Sequence, residues 1–329
     1  VVSVASMAGR RVLVSGMGGD LGSRVAALLE QEDWVGDLLG IDADPPRRRL
    51  QRAAFHLSAV SDHDRIVELV TDFDPHVVVH LSVWEPFSRA SPKQARSLTN
   101  DAATTFLGAV AECRSLESLV VRSGIEVYGR ARGSATRPDE SADVSPTCEF
   151  GYMLAGIERT AAELGRRVGV PVAPVRLGGV LGPHVPSPLG RLLRMPMVPF
   201  SALADPPFAV VEDVEAARAF VAAASRQLAE PVNVVANGAI TAFQAIRRGS
   251  RIPYPLIGPE WRIARVVAEL SGAPIPEHVL ETLHRGRLAD NSRMEELLGF
   301  AASGSTVEVI DKLYAWPSVV HVPARKQVA

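Results

Sequence analysis

The sequence predicts an α/β chain built on a doubly wound parallel sheet, with a smaller, partly interleaved C-terminal lobe. Three observations predict it. Short β-branched runs alternate with helical patterns through the first half. A glycine-rich turn joins the first such run to the first helical pattern. After Val180 the texture changes: nine prolines lie between Pro171 and Pro207, so that stretch reads as mostly irregular chain.

Taken in order, Arg11–Ser15 (RVLVS) reads as a buried strand, and Leu21, Val25, Leu28 and Leu29 then recur at helical spacing. Leu38–Ile41 is a second strand ending in Asp42. A helix is expected around Asp62–Thr71, with Ser61 or Asp62 as its cap. His76–Leu81 is continuously apolar in its middle, as a strand covered on both faces should be. Thr99–Cys113 reads as helix, Ser118–Arg122 as strand, Gly151–Val168 as helix and Val172–Leu177 as strand. Alternation at this period means parallel strands joined by crossover helices. Helix and strand patterns return at Val211–Ser225 and Val232–Ala236. Helices at Trp261–Ser271, Asn291–Leu298 and Thr306–Tyr314 follow, separated by proline-rich turns. Residues 9–182 with 211–237 are expected to form a dinucleotide-binding domain, and 183–210 with 238–317 a substrate lobe. Residues 1–8 and 318–329 are expected to be flexible ends.

Length and composition bound the function. A chain of 329 residues, 47% hydrophobic and 22% charged, can bury a sizeable core. Its net charge of −2 offers no strong field for nucleic acid or an anionic membrane. The two cysteines, Cys113 and Cys148, share no motif spacing, which points to a reduced, cytoplasmic setting. Residues 1–8 carry no basic segment of a signal peptide, and no apolar run reaches 18 residues. No metal site is expected, because His, Cys, Asp and Glu do not cluster at ligand spacings.

The motif with chemistry is Ser15-Gly16-Met17-Gly18-Gly19-Asp20-Leu21-Gly22, a G-x-x-G-x-x-G turn between a predicted strand and a predicted helix. Glycines let the backbone turn sharply and approach a pyrophosphate, and the helix N-terminus supplies free N–H groups and a positive dipole. Asp42 lies 20 residues beyond Gly22, where a carboxylate would accept bonds from an adenosine ribose. A carboxylate there favours NAD over NADP. Arg47, Arg48 and Arg49 could instead clamp a 2′-phosphate, although a solvated loop is their blander reading. These features specify a Rossmann-type fold carrying its cofactor on the Gly16–Gly22 turn.

With these residues the chain resembles the extended branch of the short-chain dehydrogenase/reductase superfamily, which includes nucleotide-sugar epimerases such as UDP-glucose 4-epimerase and dehydratases. Gly16, Gly19 and Gly22 match its cofactor turn, and His80-Leu81-Ser82-Val83 resembles its H-L-A-A. Asn100 with Ala103 and Thr104 resembles N-x-x-G-T, and Val127-Tyr128-Gly129 matches V-Y-G. Arg176-Leu177 with Leu181-Gly182-Pro183, Val211-Glu212-Asp213-Val214 with Ala217, and Leu298-Gly299-Phe300 resemble further family stretches. The resemblance implies that Gly16, Gly18, Gly19, Asp20, Leu21, Gly22, Asp42, Leu81, Ser82, Val83, Asn100 and Ser123 hold NAD. It places Ser123, Glu126, His184, Arg191 and Arg194 toward a substrate, a UDP-sugar by analogy. A homodimer through the Thr99–Cys113 and Gly151–Val168 helices is also implied.

The catalytic positions depart from the family's pattern of Ser/Thr, Tyr and a Lys four residues after the Tyr. They fall on Gly124, Phe150 and Leu154. Only Lys93, Lys312 and Lys326 are lysines, and none lies four residues after a tyrosine, so no Y-x-x-x-K exists in the chain. Glu126, Tyr128 and Tyr152 are the substitutes to test. Some sugar dehydratases of the family carry a glutamate base at the position of Glu126, and strand alternation would place it on the face of Gly124. Tyr152 lies roughly 200° round the helix from Phe150 and should face away. Two functions are therefore expected: an atypical NAD-dependent epimerase/dehydratase or oxidoreductase acting on a nucleotide-sugar or other small polar substrate, or a non-catalytic cofactor-binding sensor or scaffold.

Overall fold

A computed structural model describes residues 9–257, 266, 269 and 274–316. The strands are β1 (Arg10–Ser15), β2 (Val35–Asp42), β3 (Ala54–Leu57), β4 (Val77–His80), β5 (Ser118–Gly124), β6 (Val172–Leu177), β7 (Gly179–Leu181), β8 (Met197–Ser201), β9 (Pro207–Phe208), β10 (Val210–Glu212), β11 (Val232–Val234), β12 (Ile240–Thr241) and β13 (Ile252–Leu256). Seven of them form one sheet in the order β3-β2-β1-β4-β5-β6-β11, and every pairing in it is parallel. The order reverses between β1 and β4, which opens a crevice at the carboxyl ends of those strands. The remaining strands make three two-stranded pairs, β10 with β7, β12 with β9 and β13 with β8.

The helices are α1 (Asp20–Leu29), α2 (His63–Phe73), α3 (Pro92–Val110), α4 (Glu149–Val168), α5 (Pro188–Leu193), α6 (Asp213–Ser225), α7 (Ala242–Arg248), α8 (Glu277–Arg285), α9 (Met294–Leu298) and α10 (Thr306–Ala315). Side-chain alternation sorts the sheet residues into two cores. Val12, Val14, Val77, Val79 and Val120 pack with α1 and α6 on one face. Leu13, Val78, Leu119 and Val121 pack with α2, α3 and α4 on the other. Arg24 of α1 and Asp213 of α6 pair at 2.7 Å and fix that helix crossing. A third cluster gathers α5, α7, α8 and α10 around Phe208, Leu283 and Ile310.

The sequence reading and the structure part at identifiable places. Helix α3 begins at Pro92, seven residues before the expected start. Ser91 accepts from the Gln94 N–H, Gln94 reaches back to the Ser91 N–H, and Pro92 fits the first turn. Asp62 takes the N-cap position of α2 without bonding its side chain to the helix. The stretch expected to be irregular holds α5 and β8. The sequence reading does not include strands β3 and β13 or helices α7 and α8. The helix expected at Trp261–Ser271 and the two expected flexible ends lie outside the described residues.

Candidate functional site

Strand β1 runs into the glycine turn under strong steric control. Gly16 adopts φ +77°, the left-handed region where glycine is favoured, and a side chain there would run into the backbone of Leu81 and Ser82. A side chain on Gly22 would overlap the carbonyl of Gly16. The turn therefore folds onto itself at a distance only glycines permit. Gly19 occupies the N-cap of α1, and no side chain caps that helix. Its first-turn N–H groups open into a cleft of about 250 Å³ lined by Gly16, Gly19, Leu21, Gly22, Leu81 and Ser82.

Asp42 closes one end of this outer cleft. Its carboxylate accepts the Gly18 N–H at 2.8 Å and the Asp44 N–H at 3.2 Å. Burial raises its pKa, against those hydrogen bonds. Asp20, first residue of α1, is held by Arg89 and lies 3.8 Å from Arg47. The two arginines offset a carboxylate placed where a pyrophosphate would need positive surroundings. The segment carrying Arg89 crosses the cleft mouth. Trp84, Glu85, Ser88 and Ala90 line the cleft, and the Phe87 carbonyl accepts from Arg191. Beneath the turn, Ser15 and His80 are paired across β1 and β4, with Oγ 2.7 Å from Nδ1. The other ring nitrogen is buried and has no partner among the described residues. Burial pushes the His80 pKa down to about 4, so the ring is neutral.

An inner chamber adjoins the cleft, with Glu85, Arg122 and Val180 lining both. Its volume is about 40 Å³, little more than one water's share of liquid. Strand β5 ends at Gly124 and the chain winds into a 3₁₀ turn over Ile125–Tyr128. Strand alternation therefore does not reach residue 126, yet the turn still brings the Glu126 carboxylate over Gly124. A side chain on Gly124 would overlap Glu126 Oε2 and meet Leu154 Cδ1 at 3.0 Å. Glu126 is buried, 4.0 Å from the guanidinium of Arg287. Arg287 in turn pairs with Glu281 at 2.5 Å. Phe150 lines the same chamber, its ring 4.8 Å from that of His278. His278 Nε2 lies 3.0 Å from Glu85 Oε1.

Behind the chamber runs a buried polar chain. Ser123 donates to Glu158 at 2.5 Å, and Glu158 takes two bonds from Arg176, at 2.9 and 2.8 Å. Arg176 also donates to the Tyr128 hydroxyl at 2.9 Å, which itself donates to Asn233 at 2.7 Å. Burial raises the Tyr128 pKa, outweighing Arg176. A tyrosine acting as acid and base near neutral pH needs the opposite shift.

The sequence matches the model of the family described as NAD dependent epimerase/dehydratase family over residues 12–225. The chain belongs to that family. An uncharacterized protein of Mycobacterium tuberculosis (strain ATCC 25618 / H37Rv) is 28% identical over 312 residues, covering 92% of this chain and 83% of the relative. UDP-glucose 4-epimerase from Thermotoga maritima, solved with UDP-glucose, is similar in structure, with a TM-score of 0.71 and 16% identity over 93% of this chain and 98% of that one. UDP-glucuronic acid 4-epimerase from Bacillus cereus, solved with NAD, gives a TM-score of 0.69 at 17% identity over 93% and 98%. dTDP-glucose 4,6-dehydratase from Bacillus anthracis, also solved with NAD, gives 0.70 at 14% over 94% and 96%. The fold is the Rossmann-type α/β fold of these enzymes.

Within this family frame the predicted residues divide. The glycine turn, Asp20, Leu21, Asp42, Leu81, Ser82 and Val83 gather around the outer cleft. Glu126 lines the inner chamber. Tyr128 does not serve there, because both sides of its hydroxyl are taken by Arg176 and Asn233. Tyr152 points to solvent, 63% exposed. Ser123 borders the chamber, but its hydroxyl is spent on Glu158. Asn100 is exposed on α3; its neighbour Thr99 is the buried one and accepts the Trp84 N–H at 3.0 Å. His184 is exposed and does not line the cleft, although Val185 and Pro186 do. Arg194 donates to the Leu313 carbonyl at 3.0 and 2.8 Å, closing the end of α10. Arg191 is half-buried against the cleft-mouth segment.

Sequence reasoning missed Arg122, Glu85, His278 and Arg287. Arg122 carried a usable signal, since it shares strand parity with Gly124. A larger concavity of about 390 Å³ lies elsewhere, lined by Glu215, Glu308, Asp311 and Lys312 among others. Its charged groups are engaged: Glu215 with Ser303, Glu308 with Ser305, Asp311 with Arg248 and Lys312 with Glu212. Among the described residues no group of three or more His, Cys, Asp or Glu could hold a metal ion, and no helix is long and apolar enough to cross a membrane.

Proposed function

We propose that the chain binds NAD in the outer cleft and acts on a nucleotide-sugar or another small polar substrate, as an epimerase/dehydratase-like enzyme without the usual Ser-Tyr-Lys set. The observation that carries this reading is the uncapped N-terminus of α1 behind a turn that only glycines can make. That arrangement fits a pyrophosphate. Asp42 fits an unmodified adenosine ribose and repels a 2′-phosphate, which selects NAD over NADP. When bound, NAD supplies a hydride-accepting ring. Glu126 is the group of this chain placed to hold or move a proton at the substrate, with Arg287 4.0 Å away to fix its carboxylate. Arg191 stands beside the cleft-mouth segment, where it can hold a diphosphate once that segment yields its Phe87 carbonyl. The similar enzymes solved with UDP-glucose or NAD support the substrate class. The homodimer through α3 and α4 belongs to the same reading, and a monomer mass in light scattering would remove it.

A second reading, a cofactor-loaded sensor or scaffold, is favoured by one observation. The inner chamber is narrow and walled by Phe150 and Glu126, with Leu154 packed against Gly124, where a sugar would react. Thermal melting of purified, cofactor-free protein with NAD, NADP and UDP-glucose separates the two. Ligands that bind the native state raise the midpoint by mass action. The enzyme reading expects a shift with NAD and a further one with UDP-glucose. A shift with NAD alone favours the sensor. No shift with either dinucleotide removes both.

A further inference from the structure

Arg122 is the unexplained charge of the site. It stands on β5 two residues before Gly124, and so on the same face. Its side chain lines both the outer cleft and the inner chamber. Among the described residues it makes a single hydrogen bond, from Nη1 to the Val83 carbonyl at 3.0 Å. A guanidinium carries five N–H donors, so most of this one is left to the cavities. Two carboxylates are near, but each is engaged elsewhere: Glu85 with His278 at 3.0 Å, Glu126 toward Arg287 at 4.0 Å. No carboxylate oxygen among the described residues lies within 4.0 Å of Arg122. Burial accordingly lowers its pKa, with Glu85 and Glu126 only partly offsetting it. Arginine nevertheless keeps its proton in proteins.

The sheet order says what this charge meets. Asp42 ends β2, the turn follows β1, and Arg122 lies near the end of β5, beyond β4. A dinucleotide with its adenosine ribose at Asp42 and its pyrophosphate at α1 extends its other half toward β4 and β5. The oxidised nicotinamide ring carries a positive charge, whereas the reduced ring is neutral. Their shapes are close, so a fixed cation beside them separates the two by charge.

We infer that Arg122 makes this cleft discriminate between the redox states of its cofactor, favouring the reduced, uncharged ring over the oxidised, cationic one. This rests on the reading that NAD occupies the outer cleft, and the test separates the two failures. Affinities for ADP-ribose, NAD⁺ and NADH are measured by calorimetric titration of the full chain and of Arg122→Ser. ADP-ribose lacks the nicotinamide and reports on the cleft alone. The wild type is expected to bind NADH at least about tenfold tighter than NAD⁺, the scale of one like charge in a half-buried site. In Arg122→Ser the NADH-to-NAD⁺ ratio should close to within about threefold, while any loss of the diphosphate's attraction to Arg122 shows in ADP-ribose and divides out of that ratio. If Arg122→Ser does not fold by circular dichroism, Arg122→Gln removes the charge while keeping a donor for the Val83 carbonyl. Equal affinities for the two redox states in the wild type, or a ratio that survives in a folded variant, overturn the inference. Failure to bind ADP-ribose overturns the cofactor reading and the inference with it.

Discussion

The outer cleft and the inner chamber share a border, yet they are made of different material. The end of the cleft that would hold a pyrophosphate is backbone: glycines at the turn and the first-turn N–H groups of α1. The chamber is made of side chains from separated segments, Glu126 from the 3₁₀ turn, Phe150 from α4, His278 from α8 and Arg287 beyond it. A backbone site admits few solutions, because a side chain at Gly16 or Gly22 would collide with main chain. A side-chain site can be rebuilt residue by residue on the same frame. The proposed reading, a cofactor turn kept while the family's catalytic positions fall on Gly124, Phe150 and Leu154, fits that difference.

The largest effect should come from the polar chain behind the chamber. Arg176→Met leaves the Glu158 carboxylate buried without its guanidinium. Removing one partner of a buried pair costs about 3–5 kcal/mol. The expected result is a fall in the urea midpoint with the slope unchanged. ADP-ribose affinity of the folded protein should hold, since Arg176 does not line the outer cleft. A loss below about 1 kcal/mol would place the pair among surface ion pairs and end its role as the chamber's support.

The cleft side has its own counterpart in His80. Its imidazole is neutral in the fold, with a pKa pushed down to about 4 by burial, against about 6.5 in the unfolded chain. Between these values the unfolded state takes a proton that the folded state refuses. The contribution is complete above about pH 6.5 and is lost as pH falls toward 4, by up to about 3 kcal/mol. Asp42 and Asp213, both raised by burial, slope the other way in acid. Asp74, lowered first by the Ser115 hydroxyl, acts below its ordinary range. The difference between wild type and His80→Asn isolates the histidine: the variant should be less stable at pH 7 and show a flatter fall from pH 6.5 to 4. Parallel curves would mean that His80 takes up its proton in the folded state too.

How much of this could be read beforehand follows from the same contrast. The turn, Asp42 and the parallel sheet were legible because each is local, with its spacing written in consecutive residues. Helix α3 could have been placed correctly, for Ser91-Pro92-x-Gln94 is a start signal that apolar periodicity alone overlooks. Glu126 reaches the chamber through a 3₁₀ turn rather than through the strand alternation that the sequence suggests. His278 and Arg287 were not legible. They reach the chamber from more than 120 residues beyond Phe150, and no local pattern marks the meeting. Tyr128 matched a motif, but its partners Arg176 and Asn233 come from other strands, so only the structure shows that its hydroxyl is spent.

The smallest effect gives the finest test of how the chamber was rebuilt. Gly124→Ser places a hydroxyl at the end of β5, but its side chain would enter the space of the Glu126 carboxylate and press on Leu154. Overpacking of this kind costs about 1–3 kcal/mol. Both obstacles are side-chain ends, not backbone, so the cost should be relieved by removing one of them. Glu126→Ala alone leaves Arg287 its pair with Glu281 and should be milder. In Gly124→Ser with Glu126→Ala, the serine has room, and the double variant should be more stable than the sum of the single losses predicts. The cycle, measured by urea denaturation, should give a coupling of about 1–2 kcal/mol in the rescuing direction. Additivity within about 0.3–0.5 kcal/mol would mean that Glu126 does not hold the position Gly124 leaves open. Coupling would mean that a side chain at position 124 and the Glu126 carboxylate compete for one space.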